Sequence, residues 1–266
     1  MFRSSWNLGR VAGIDLYLHP TFLFIPLWVL WQGQGLIGVA IVTLVFACVV
    51  LHELGHALMA RHYGIGTANI TLYPIGGVAR LERMPRSAGP ELAIALAGPA
   101  VNVAIAAILW AVVEVFGGVL DFELVEIVQT LMVVNVGLLL FNMLPIFPMD
   151  GGRVLRALLS SWIGRLRATE IAATLGRGIA VIAGTYFLLN AVFVDATAFI
   201  QVVLAGFVYT AASYELLAVR RESARTVVEP SCPAPPAGYR WIDRGDGVWR
   251  LAPISIWGNP FGSARR

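Results

Sequence analysis

Long apolar runs dominate the chain and set its predicted architecture. Short polar or glycine-containing breaks separate six of them: residues 20–31, 36–60, 92–117, 124–147, 171–194 and 196–219. A helix needs about 20 apolar residues to cross a bilayer, so the first run is short unless it borrows its flanks. The pattern predicts an all-α polytopic membrane protein with about six transmembrane helices.

Two other segments have the pattern of strands. Apolar and polar residues alternate from Ile14 to His19, which is typical of a short strand. Residues 70–81 contain two extended stretches around the pair Gly76-Gly77, which predicts a β-hairpin. We therefore expect a small β-element on the cytoplasmic side of the helices.

These patterns divide the chain into three predicted parts. Residues 1–19 form an N-terminal cytoplasmic segment with a short strand, and residues 20–219 form the six-span core. Residues 220–266 form a cytoplasmic tail. In it, a proline-rich linker at 229–238 precedes a small predicted hairpin at 239–251.

Composition and charge agree with a membrane protein. Hydrophobic residues make up 58% of the chain and charged residues 13%, about half the usual share of about 25%. The mean hydropathy is +0.76, which argues against a soluble domain and against disorder. The net charge of +3 is typical of cytoplasmic loop arginines, so no nucleic-acid partner is expected.

The arginines also predict the topology. They cluster before the first run, between the second and third, between the fourth and fifth, and after the sixth. The three intervening connections contain no Lys or Arg. By the positive-inside rule, both termini are expected in the cytoplasm.

The second apolar run contains a metal-binding pattern, His52-Glu53-Leu54-Gly55-His56. On a helix, the two histidines are one turn apart on the same face and can share a Zn²⁺ ion, with Glu53 acting on a water. The alternative is a pair of core histidines. That alternative leaves a costly glutamate in an apolar helix without a purpose.

A catalytic zinc site usually has three protein ligands, so a third is expected. His19 and His62 stand at segment ends, where a solvated histidine is ordinary. Asp150 is the better choice because two prolines precede it and break the helix, and two glycines follow it and permit a sharp turn. Cys48 lies one turn before His52, but a small buried apolar role suits it better.

Together, HELGH and the later stretch Asn142-Met-Leu-Pro-Ile-Phe-Pro-Met-Asp-Gly-Gly152 resemble the site-2 protease family of intramembrane zinc metalloproteases. The Gly76-Gly77 pair, the stretch from Ala97 to Asn102 and the opening Gly13-Ile-Asp-Leu-Tyr-Leu-His-Pro-Thr-Phe22 are also similar to the family. The resemblance covers about residues 8–218. Only about 30 residues separate the second and third runs, so a minimal form is expected, without a PDZ domain or regulatory nucleotide-binding domains.

The resemblance implies a role for each matching residue. His52, His56 and Asp150 would bind one Zn²⁺ per chain, and Glu53 would be the general base. Substrate orientation or oxyanion support would come from four further positions: Asn102, Asn142, Gly76 and Gly77. A substrate helix must unwind before hydrolysis, and the hairpin could hold it as an added strand.

The expected function is that of a zinc metalloendopeptidase in regulated intramembrane proteolysis. It would cleave a peptide bond in or near the transmembrane helix of a single-span membrane protein, within the lipid bilayer of a bacterial inner membrane. One alternative is a non-proteolytic membrane scaffold that retains a zinc site. Another is a transporter, although the ionisable residues cluster in two motifs and no internal repeat is visible.

Overall fold

The computed structural model describes residues 5–83, 85, 87–227, 235–243 and 249–253. The described helices are a 3₁₀ helix at Pro20–Leu23 followed by α1 (Phe24–Trp31), α2 (Gly35–His62), α3 (Ala88–Phe116), α4 (Phe122–Asn142), α5 (Asp150–Ile163), α6 (Arg165–Phe193) and α7 (Phe199–Val227). The described strands are β1 (Trp6–Val11), β2 (Ile14–Leu18), β3 (Thr67–Tyr73), β4 (Gly76–Leu81), β5 (Tyr239–Asp243) and β6 (Trp249–Pro253).

Five helices within the described residues are long and apolar enough to cross a membrane: α2, α3, α4, α6 and residues 199–223 of α7. The prediction of about six full spans therefore differs from the structure at the first run. Residues 20–31 form only a 3₁₀ turn and the eight-residue helix α1. The polytopic helical class with a small β-element is confirmed.

The predicted hairpin is part of a larger sheet. Strands β3 and β4 pair in antiparallel fashion, with Leu72 opposite Gly77. Strand β2 pairs in parallel with β3, and β1 pairs with β2, so the strand order is β1-β2-β3-β4. The sheet core is a small cluster in which Ile14 and Ile70 pack against Ala57 of α2. The sheet is thereby held against the helix that carries the histidines.

The segment after α4 was predicted as the end of a long span, and it is instead a separate structure. Helix α4 ends at Asn142, seven residues of loop follow, and Asp150 is the first residue of α5. Pro145 and Pro148 interrupt the helical hydrogen bonding there. Gly164, with a φ of 80°, separates α5 from α6.

The chain forms two compact units, residues 1–216 and 217–266. In the second unit, β5 and β6 pair in antiparallel fashion from Tyr239 opposite Pro253 to Asp243 opposite Trp249. The middle of the hairpin predicted at 239–251, residues 244–248, and most of the predicted linker lie outside the described residues. The three-part division at residues 19 and 219 stays a prediction.

Candidate metal centre

Helix α2 places His52 and His56 one turn apart, and both are 5% exposed. Their rings meet edge to face with centroids 4.7 Å apart. The two Nε2 atoms are 3.0 Å apart. The spacing of four residues therefore brings both ring nitrogens to one point, as the sequence predicted.

Asp150 completes a nearly equilateral triangle of ligand atoms. Its Oδ2 lies 3.2 Å from Nε2 of His52 and 3.1 Å from Nε2 of His56. Asp150 begins α5, so its carboxylate comes from a different part of the chain than the histidines. Among the described residues, these three form the one group of His, Cys, Asp or Glu whose ligand atoms converge in this way.

The triangle fits a zinc ion. Ligands bound tetrahedrally at about 2.0–2.1 Å are about 3.3–3.4 Å from one another, close to the 3.0–3.2 Å found here. Nδ1 of His56 donates a hydrogen bond of 2.7 Å to the carbonyl of Ile94, which leaves Nε2 with a free lone pair. Converging lone pairs repel one another, and a cation between them removes that repulsion.

The carboxyl group of Asp150 is ionised in this arrangement. Burial opposes its ionisation, but in the metal-free protein a proton on Nε2 of His52 or His56 donates to the carboxylate, and this hydrogen bonding lowers the pKa of Asp150 well below its usual range. A bound metal ion would replace that proton. An ionised carboxylate is the form that binds a metal.

Gly98 of α3 leaves the room that the centre needs. A Cβ atom at this position would lie 2.2 Å from Nε2 of His56 and 2.7 Å from Nε2 of His52. No side chain larger than hydrogen can therefore occupy this position beside the ligand atoms. The backbone of α3 at Gly98 therefore packs directly against the point where the three ligand atoms meet.

Glu53 lies between the centre and the sheet. Its Oε2 accepts a hydrogen bond of 3.3 Å from the backbone N–H of Ala79 in β4. Gly77 permits this approach, because a Cβ there would lie 2.8 Å from Cγ of Glu53 and 3.2 Å from Cγ1 of Val49. Gly76 has a φ of 137° and begins β4 at the turn.

A cleft of about 360 Å³ opens beside the ligand atoms, Glu53 and strand β4. Asn102 and Asn142 line it. Asn102 is fully buried, and neither polar atom of its amide has a partner among the described residues. Asn142 donates to the carbonyl of Leu138 at 3.0 Å, which leaves its amide oxygen available. The structure thus brings all of the sequence-predicted site residues together around one cleft.

The family is shown by comparison. The profile described as peptidase family M50 matches residues 40–183, a stretch that contains both histidines, Glu53 and Asp150. The chain belongs to peptidase family M50, the site-2 protease family. Between α2 and α3, the described residues of the range 63–87 form the hairpin and its connections, and no PDZ domain is evident among them.

Individual relatives agree. The M50 member is 36% identical over 222 residues to "Zinc metalloprotease MJ0392" of Methanocaldococcus jannaschii, a match covering 82% of this chain and 62% of that protein. It is 33% identical to "Putative zinc metalloprotease sll0528" of Synechocystis, over 69% of this chain and 53% of that one. The matches thus span only about half to three fifths of these curated relatives.

A solved structure is also similar. The "Site-2 Protease from Methanocaldococcus jannaschii" superimposes with a TM-score of 0.60 at 35% identity, over 80% of this chain and 95% of that one. This likeness agrees with the polytopic helical fold of the M50 member.

Several residues of the site were missed from the sequence. Gly98 lies in a stretch that matched the family, but its contact with the histidines depends on the packing of α3 on α2. The Ile94 carbonyl has no side-chain signal at all. Arg153 lines the cleft one turn after Asp150, although its place between the fourth and fifth apolar runs predicts only a loop charge. The histidines considered as alternatives lie elsewhere, His19 stacked on Tyr73 and His62 against Tyr63.

Proposed function

We propose that this M50 member is a zinc-dependent endopeptidase that cleaves a peptide bond in or near the transmembrane helix of a single-span membrane protein. The observation that carries the proposal is the convergence of Nε2 of His52, Nε2 of His56 and Oδ2 of Asp150 within 3.0–3.2 Å of one another. The products would serve regulated intramembrane proteolysis. The matched relatives carry names of zinc metalloproteases, which supports the same reading.

His52, His56 and Asp150 would hold one zinc ion per chain. Zinc, when bound, acts as a Lewis acid that activates water and polarises the scissile carbonyl. Glu53 accepts the proton of the attacking water and delivers it to the nitrogen of the departing amine. The backbone N–H of Ala79 keeps the Glu53 carboxylate in place beside β4.

The substrate would bind as an extended strand. β4 is the last strand in the sheet order, so one of its edges has no strand partner among the described residues. A segment that adds to this edge runs beside Glu53, because the N–H of Ala79 already contacts that carboxylate. Apolar side chains of the cleft, such as Ile75, Leu138 and Phe207, suit the side chains of an unwound membrane helix.

The two asparagines complete the cleft. Asn102 carries a buried donor and a buried acceptor without partners, which is costly unless a ligand uses them. A substrate backbone amide or a developing oxyanion could bind the donor. Asn142 offers its amide oxygen for orientation of the same segment.

The short first run remains compatible with two cytoplasmic termini. The N–H of His19 donates to the carbonyl of Leu72, so the 3₁₀ helix starts at the sheet rather than at a loop outside the bilayer. Phe22 packs edge to face on Phe46 with ring centroids 4.6 Å apart, so this start lies beside the middle of α2. Residues 20–31 then need to cross only the part of the bilayer that α2 crosses from Gly35 to about Phe46.

Loss of a ligand is expected to remove the metal. The full chain, purified in detergent, should contain about one zinc, whereas Asp150→Ala and His56→Ala should contain less than a tenth of that amount. Zinc content by mass spectrometry and cleavage of a panel of co-expressed, tagged single-span proteins check this. His19→Ala is the matched control, because His19 stacks on Tyr73 away from the centre. If the wild type contains zinc but cleaves no member of the panel, the result favours the alternative of a non-proteolytic scaffold.

The topology has its own test. In a chain with Cys48 and Cys232 replaced by serine, single cysteines at the exposed positions Gln34, Asp121 and Arg167 are treated with a membrane-impermeant thiol reagent on intact cells. Cysteines at positions 34 and 121 should react, and the one at 167 should react only after permeabilisation. Labelling of position 167 on intact cells contradicts the bacterial inner-membrane orientation with cytoplasmic termini.

A further inference from the structure

A buried ion-pair network lies outside the metal centre, and the proposed mechanism does not use it. The guanidinium of Arg156 in α5 donates through Nε to Oε1 of Glu91 in α3 at 2.6 Å, and its Nη2 contacts the same oxygen. Its Nη1 donates to Oε1 of Glu215 in α7 at 2.6 Å. Arg165 Nη1 lies 3.2 Å from Oε2 of Glu91 and donates to the carbonyl of Pro85 at 2.7 Å.

From this geometry we propose that the Arg156–Glu91 pair is a positioning pair for the metal centre: it fixes the helix that carries Asp150 against the helix turn that orients His56. The inference rests on the proposed zinc function and names two residues that this function did not include. Neither residue touches the ligand atoms, so the pair acts through the elements that it joins.

Burial makes a purely stabilising role a weak explanation. The Arg156 side chain is 0% exposed, and that of Glu91 is 5% exposed. Removing two charges from water costs about as much as their attraction returns, so a buried ion pair seldom gains stability over an apolar pair of the same size. Its gain is geometry, because charge-assisted hydrogen bonds from one buried guanidinium to Glu91 and Glu215 fix how the helices approach one another.

The Glu91 end of the pair leads to His56. Glu91 is in the first turn of α3, and Ile94 follows it by three residues on the same face. The carbonyl of Ile94 accepts the hydrogen bond from Nδ1 of His56 at 2.7 Å. A shift of this turn changes the hydrogen bond that sets the orientation and tautomer of His56.

The Arg156 end of the pair leads to Asp150. Arg156 follows Asp150 by six residues in α5, about 9 Å along the helix. The guanidinium also lies over the ring of Phe147, 4.9 Å from its centroid, in the loop just before Asp150. Arg156 therefore joins the loop that precedes Asp150 to the helix that follows it, and so restrains the first turn of α5.

The outer half of the network provides the control. Glu215 contacts the same guanidinium, but its side chain is 24% exposed and α7 supplies none of the ligand atoms or their hydrogen-bond acceptors. Glu215→Gln thus removes one charge from the network without touching the connection between Ile94 and Asp150. Glu91→Gln makes the same chemical change as Glu215→Gln, but it removes the charge from the Arg156–Glu91 pair.

The experiment measures metal binding on the full chain in detergent, after removal of metal with a chelator. Zinc affinity is measured by competition with a chelating dye, and the visible absorption of bound Co²⁺ reports ligand geometry. We expect Glu91→Gln and Arg156→Lys to weaken zinc binding by about 10- to 100-fold and to change the Co²⁺ spectrum. Glu215→Gln should stay within about threefold of the wild type, with an unchanged spectrum.

Circular dichroism and size exclusion establish that each variant is folded before metal is added. If Glu91→Gln alone does not fold, the double variant Glu91→Gln with Arg156→Met removes one charge of each sign, and we expect it to fold and still to bind zinc weakly. If the folded variants Glu91→Gln and Arg156→Lys bind zinc as tightly as the wild type, the inference is overturned. Equal losses in Glu91→Gln and Glu215→Gln overturn it too, because they indicate a general packing effect. A wild-type chain that binds no zinc instead refutes the proposed function.

Discussion

Replacing Glu53 with glutamine should abolish proteolysis while leaving the zinc in place. Glutamine keeps the size of the side chain and an oxygen that can accept the hydrogen bond from the N–H of Ala79. It cannot accept a proton from water. Because general acid–base catalysis contributes about 10²- to 10⁴-fold, the cleavage rate should fall by about that factor.

The measurement compares cleavage of a co-expressed single-span substrate by wild type and Glu53→Gln, with zinc counted in both purified proteins. Glu114→Gln is the matched control. Glu114 is an exposed glutamate on α3, so this variant should cleave the substrate at the wild-type rate. Zinc content near one per chain in all three proteins attributes the loss to proton transfer. A Glu53→Gln protein that retains more than a tenth of the wild-type rate excludes Glu53 as the general base.

Local sequence spacing was enough to predict that the two histidines of the candidate metal centre lie together. His52 and His56 are related by one helical turn, a relation that holds wherever the helix lies. Asp150 is 94 residues from His56, and its place in the site came from its motif and from the family resemblance rather than from spacing. The role of each residue in catalysis stays a prediction that the variants above test.

Long-range packing explains what the sequence could not predict. The parallel pairing of β2 with β3 joins segments about 50 residues apart, so the N-terminal strand showed only its own alternation. Arg156 and Arg165 lie between the fourth and fifth apolar runs, so the sequence predicts them as loop arginines. In the structure, Arg156 is fully buried and both are paired with Glu91, so these two are not free surface charges. Charge counting along a sequence cannot distinguish these two situations.

Introducing a single methyl group at Gly98 should destroy the metal centre. The Cβ of Gly98→Ala would lie 2.2 Å from Nε2 of His56 and 2.6 Å from its Cε1, much closer than nonbonded atoms approach. Either the histidines or α3 must move by about an ångström, a displacement that ligand geometry does not tolerate. We expect zinc affinity to fall by at least about 100-fold and cleavage to be lost with it.

Gly89→Ala is the matched control. Gly89 lies in the same helix, and a Cβ there meets no atom within 4 Å. Alanine is a better helix former than glycine, by about 1 kcal/mol in a helix interior, so neither substitution lowers the intrinsic helix propensity of α3. A loss of zinc in Gly98→Ala, with normal zinc in Gly89→Ala, therefore cannot come from a weaker helix.

Thermal unfolding of the metal-free proteins distinguishes a local clash at the ligand atoms from a general loss of stability. If Gly98→Ala unfolds at the temperature of the metal-free wild type but binds zinc poorly, the methyl group acts at the ligand atoms. If Gly98→Ala binds zinc as tightly as the wild type, then Gly98 does not lie against the two histidines and the proposed contact is wrong. The test is sensitive because the ligand atoms come from α2 and α5 and α3 lies directly against them. Gly98 lets α3 pack close enough for the carbonyl of Ile94 to accept the hydrogen bond from Nδ1 of His56.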